Sequence, residues 1–163
     1  MYSMDRPREL FFKYDGSRFY MSRDGVEEEY RSYEVPEQLR KEWLEELTAT
    51  KLDMLDAGSN CSVVYFLLNH RDTRHLPRIL QANPRGSYGQ RCAYLEDVLN
   101  YVKMCTDAQV IGRSQAREAA QYVLNQAADI ENDVKQDDSR KRIVRIIAAA
   151  SETLSLSTGL PEP

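Results

Sequence analysis

The chain has 163 residues, with 22 Lys+Arg against 26 Asp+Glu, a formal net charge of −4, 42% apolar residues and 29% charged ones. That length fits one domain, or one domain with a small appendage, and the composition excludes wholesale disorder, collagen-like repeats and coiled-coil rods. No stretch approaches the roughly 20 consecutive apolar residues that a membrane span requires.

At the N-terminus, Leu10-Phe11-Phe12 is followed at once by Lys13, so no apolar run of a secretory signal is present. Cys61, Cys92 and Cys105 stand at long spacings and form neither a disulfide framework nor a CxxC pair. A cytoplasmic protein is the expectation.

Residues 9–33 alternate β-favouring runs with Asp15-Gly16 and Asp24-Gly25. Asp-Gly between such runs signals a two-residue hairpin, whose type I′ turn needs positive φ at both central residues. The expectation is a three-stranded antiparallel β-meander within residues 1–35. Its core face would carry Leu10, Phe12, Phe19, Met21 and Tyr30. Its outer face would carry Phe11, Tyr20 and a cross-strand row of Lys13, Arg18 and Arg31, a secondary candidate surface.

A mainly α-helical domain is expected over 36–154, forming one compact unit with the meander. Pro36-Glu37 reads as a helix start and Gly58 as a stop, with Trp43 seated on the sheet. Residues 61–68 are nearly all apolar and suit a buried helix or a buried strand; a helix is the expectation, since Asn60 before them can cap it. Asp72 can cap the next, with Pro77 kinking it or delaying its start. Tyr88, Cys92, Leu95, Val98, Leu99, Val102 and Cys105 follow helical spacing after a start at Ser87. Ser114 caps a helix whose stripe is rich in alanine. Asp138 caps the last, with Ile143, Val144, Ile146, Ile147, Ala150 and Leu154 on its stripe. Residues 155–163 read as a disordered tail. Nine of the 13 alanines fall in residues 106–154, which predicts close packing of the final helices. The fold class is therefore expected to be α+β, a meander packed on a bundle of five or six helices.

No constellation spells out a catalytic centre. His70 and His75 are five residues apart and do not converge on one helix face, so no metal site is expected. His70-Arg71-Asp72 matches a kinase triplet, but Pro77 stands where the pattern needs Asn and the remaining motifs are missing. Gly86-Ser87-Tyr88-Gly89 lacks the lysine and strand of a phosphate loop. No cofactor is implied.

Charge is segregated along the chain. Residues 24–56 hold 11 acids and 4 bases, whereas residues 69–95 hold five arginines and one acid. Arginine pairs bidentately with carboxylate or phosphate, so His70, Arg71, Arg74, His75, Arg78, Arg85 and Arg91 form the main candidate site for a partner or an anion. The sequence reading is a non-catalytic protein-binding protein of adaptor, regulatory or inhibitor type, like small acidic bacterial-type proteins that neutralise a toxin. The alternative is an enzyme or binding domain acting on an anionic small molecule or nucleic acid through the His70–Arg91 stretch. Another protein is the favoured partner. Nucleic acid fits poorly with the acidic net charge, no membrane is implied, and a homodimer is compatible.

Overall fold

A computed structural model describes residues 3–58, 60–133 and 137–158, with the side chains of 137–139 and 158 outside that description. It divides into two compact units, Met1–Asp53 and Met54–Pro163. Among the described residues every regular element is a helix and none is a strand. The expected α+β class and its meander are thereby overturned.

Unit 1 contains α1 (Asp5–Lys13), α2 (Arg18–Arg23), α3 (Glu27–Ser32) and α4 (Glu37–Asp53). The two Asp-Gly pairs do supply positive φ, with Asp15 at 51°, Gly16 at 67° and Gly25 at 73°. They spend it on ending helices rather than on reversing strands. After α1, Asp15 N–H donates to Phe12 O and Gly16 N–H to Phe11 O. After α2, Gly25 N–H donates to Ser22 O and Val26 N–H to Met21 O. Each pair of bonds closes a Schellman motif around a left-handed residue, capping carbonyls the helix leaves bare.

Helical periodicity explains the burial. Pro7, Leu10, Phe11 and Tyr14 recur at i, i+3, i+4 and i+7 and are all buried. Phe11, expected on an outer face, is only 3% exposed, while Phe19, expected in the core, is 72% exposed. The Phe11 ring lies 5.7 Å from Trp43 and 6.4 Å from Tyr30. Trp43 thus packs on helices, not on a sheet. Lys51 Nζ meets the Asp15 carboxylate at 2.8 Å and fastens the end of α1 to α4.

Unit 2 opens with a 3₁₀ turn, Met54–Asp56, followed by α5 (Cys61–Asn69), α6 (Leu76–Gln81), α7 (Tyr88–Asp107), α8 (Arg113–Asp133) and α9 (Asp137–Thr158). The apolar run after Asn60 is α5, but Asn60 makes no side-chain cap. Wholly buried, it instead donates from Nδ2 to Leu55 O at 2.6 Å and Asn83 O at 2.9 Å, and accepts from Arg85 N–H at 3.2 Å. One amide therefore satisfies the backbone of two loops that approach each other. Pro77 delays α6, which starts at Leu76.

At α7 the expected start is a full capping box, with Gln90 N–H donating to Ser87 Oγ and Ser87 N–H donating to Gln90 Oε1. Gly86 sits at φ 95°, where a Cβ would lie 2.5 Å from Gln90 Oε1. The Schellman pattern returns after α5, with Arg71 at φ 53°, and after α7, with Gln109 at φ 56°. α8 begins at Arg113, one residue before the expected Ser114 cap, with Gln115 Oε1 accepting from Gly112 N–H. It runs along α9, presenting Ala116, Ala119, Ala120, Val123, Ala127 and Ile130 as its buried stripe. Ile143, Ile146 and Ala150 of α9 are buried, whereas Val144, expected beside them, is 54% exposed. Residues 155–158, expected in the tail, continue α9; residues 159–163 and the side chain of Asp138 lie outside the described part. No helix among the described residues is long and apolar enough to cross a membrane.

Candidate functional site

The basic stretch from His70 to Arg91 does not gather into one site. Its arginines are distributed to separate acids. Arg74 grips Asp72 through Nε at 2.9 Å, Nη2 at 2.6 Å and its own backbone N–H at 3.2 Å. His75 Nε2 lies 3.2 Å from the same carboxylate. Burial pushes the Asp72 carboxyl up, but the hydrogen bonds from Arg74 outweigh it and hold the group below the usual carboxylate range. Arg78 turns to Asp56 at 2.9 Å and Arg91 to Asp133 at 2.8 Å, with Arg91 Nε buried and without a hydrogen-bond partner among the described residues. The His70 ring sits 4.6 Å from Phe66. Arg71 and Arg85 are exposed, the former as the left-handed residue that ends α5.

Three tyrosines explain why this stretch is built so tightly. Tyr101 Oη accepts from His75 N–H at 3.0 Å, Tyr94 Oη donates to Ile79 O at 3.1 Å, and Tyr122 Oη donates to Ala82 O at 2.6 Å. The phenols hang from α7 and α8 and hold both ends and the middle of the 75–82 segment. Burial raises all three, that of Tyr122 to about 12, so each stays a neutral hydrogen-bonding group. Cys92 and Cys105 are buried, and burial pushes both thiols up.

The secondary surface expected on the meander does not exist as a row. Phe11 belongs to the core. Lys13 lies at the end of α1 with its ammonium 5.2 Å from the Tyr14 ring. Tyr20 stacks edge-on with Phe19 at 5.5 Å and lies beneath the Arg23 guanidinium. Arg18 begins α2 and Arg31 lies in the last turn of α3, both exposed. A helical path scatters residues that a sheet would have aligned.

A different cationic group is assembled on α9. Arg140, Lys141, Val144 and Arg145 line a shallow concavity of about 520 Å³. Residues 140–145 hold four cations and no acid. The fourth cation, Arg142, is turned inward, where it clasps Glu96 of α7 through Nε at 2.8 Å and Nη2 at 2.6 Å, and donates from Nη1 to Gly89 O. Hydrogen bonding by Arg142 holds the Glu96 carboxyl below its ordinary range. Its neighbour Asp97, half-buried and repelled by Glu96, is pushed up to about 6, chiefly by burial. Positions 140, 141, 144 and 145 thus face outward, while 142, 143 and 146 anchor the helix. This run is legible in the sequence as Arg140-Lys141-Arg142 followed by Arg145, beside the more numerous arginines of residues 69–95. Among the described residues no group of three His, Cys, Asp or Glu side chains is placed to hold a metal ion. No protein-family model, no curated protein and no solved structure matches this chain.

Proposed function

We propose that the chain is a non-catalytic protein-binding module of adaptor, regulatory or inhibitor type, and that the outward face of α9 holds an acidic segment of its partner. The observation that carries this reading is the open face of α9 on which Arg140, Lys141 and Arg145 surround the exposed Val144, the aliphatic parts of their side chains forming most of the lining. Cations around a small apolar centre suit a carboxylate-bearing peptide that also carries an apolar side chain. The helix backbone adds positive potential near its start. The histidines and arginines of residues 70–91 are, by contrast, mostly committed to local acids and to a backbone segment pinned by three tyrosines.

Fluorescence anisotropy with a labelled Asp/Glu-rich peptide containing one leucine tests the reading. Arg140→Glu, Lys141→Glu and Arg145→Glu together should weaken binding by at least about tenfold, because each rim charge contributes attraction screened by salt. Arg71→Glu with Arg85→Glu should leave it unchanged. Equal binding by both variants, or preferential binding of a single-stranded oligonucleotide of matched charge, would overturn the assignment.

A further inference from the structure

The protein carries its own candidate for the acidic segment. α4 buries Trp43, Leu47 and Thr48 on one side. On the other side Gln38, Glu42, Glu45, Ala49 and Asp53 recur at i, i+4, i+7, i+11 and i+15, all exposed, with Glu46 on one flank and Lys41 on the other. The stripe is net acidic around one alanine. On α9 the outward stripe runs Lys141, Val144, Arg145, Ala148 and Glu152, with Arg140 at its start. Its first two turns are basic around a valine and an alanine, and Glu152 closes that basic run. The two helix faces are complementary in charge and in the placing of small side chains, which lets helix axes approach closely. Two of the α4 acids have exposed partners, Glu46 with Arg8 and Glu42 with Gln38, and exposed pairs are weak enough to be exchanged.

Resting on the reading of α9 as an acceptor of acidic segments, we propose that the chain self-associates, the outward face of α4 in one copy seating on the basic concavity of α9 in a second copy. Occupation by a second copy would compete with any other acidic partner, so the free, binding-competent form would increase on dilution. The contact joins unlike faces. Two copies can satisfy it reciprocally, or successive copies can add head to tail.

Sedimentation velocity of the full chain tests this. At about 0.05 M salt the average mass should rise with protein concentration, and at about 0.5 M salt, where the screening length falls to a few ångströms, the chain should sediment as a monomer. Arg140→Glu, Lys141→Glu and Arg145→Glu together should abolish association, as should Glu42→Lys, Glu45→Lys and Glu46→Lys together. Mixing the two charge-reversed proteins should restore it, which misfolded variants would not do. A wild-type monomer at every concentration and low salt, or a mixture that stays monomeric, overturns the inference. If the labelled acidic peptide still binds that monomer, the reading of α9 survives and only the second copy is excluded.

Discussion

The two units solve the burial problem with opposite materials. Unit 1 uses helices of 9, 6, 6 and 17 residues, and its core rests on Phe11, Tyr14, Tyr30 and Trp43. Unit 2 ends in helices of 20, 21 and 22 residues, and its α8 interface is made largely of alanine. Short helices expose many backbone groups per residue and gain little from propagation, so they depend on large side chains and on capped ends. Long helices satisfy their backbone internally and can use small side chains to come close. A unit built on aromatics should be sensitive to deletion of bulk. One built on alanine should be sensitive to added bulk.

The largest expected effect tests the first half of that contrast. Trp43→Ala removes the ring that faces Phe11 and should destabilise unit 1 by about 3–5 kcal/mol. Amide exchange of peptides from residues 5–53 reads the loss; slow exchange retained there would mean the aromatic cluster does not hold the unit. The counterpart is Ala120→Leu. Ala120 is fully buried on the α8 stripe, so the added methylenes should destabilise unit 2 by about 1–3 kcal/mol, measured by denaturant unfolding. A neutral result would mean the alanines are not closely packed.

A charge sharpens the comparison next. Asp97 titrates at about 6 against an ordinary 3.8, so the folded state favours its neutral form. Stability contributed by that form is complete below pH 4 and is lost as pH rises through 6. Asp97→Asn should therefore stabilise unit 2 by about 1–2 kcal/mol at pH 7 and hardly at all at pH 4. An equal gain at both pH values would remove the ionisation from the explanation. The smallest effect concerns a cap. Gln109 holds φ 56° at the end of α7, and Gln109→Gly should add about 0.5–1 kcal/mol by relieving that backbone, seen as a raised Tm.

Unit 2 was far more legible in the sequence than unit 1. Ser87 with Gln90, and the apolar spacing from Tyr88 to Cys105, locate α7 because a long helix repeats its signal through five turns. The nine-residue α1 repeats it only twice. There the Asp-Gly pairs prevailed, since a hairpin turn and a helix stop both require positive φ, and a dipeptide cannot distinguish them. Pro7, Leu10, Phe11 and Tyr14 held the deciding pattern. The Arg-rich stretch was visible as composition, but composition does not state which acid each guanidinium reaches. Asp56 and Asp133 absorb Arg78 and Arg91 through tertiary geometry that no local rule contains, while Asp72 takes Arg74 from two residues away. The α9 run needed only a helix phase to separate Arg142 from its neighbours.

Trp43 is the only tryptophan of the chain, and it lies in the core of unit 1. Indole emission therefore monitors that half alone. Far-ultraviolet ellipticity is weighted instead toward the long helices of the other half. Melting curves from the two signals need not superimpose, and a gap between them would measure the difference in resilience between an aromatic cluster and an alanine seam, the chain in that interval having one unit folded and the other not.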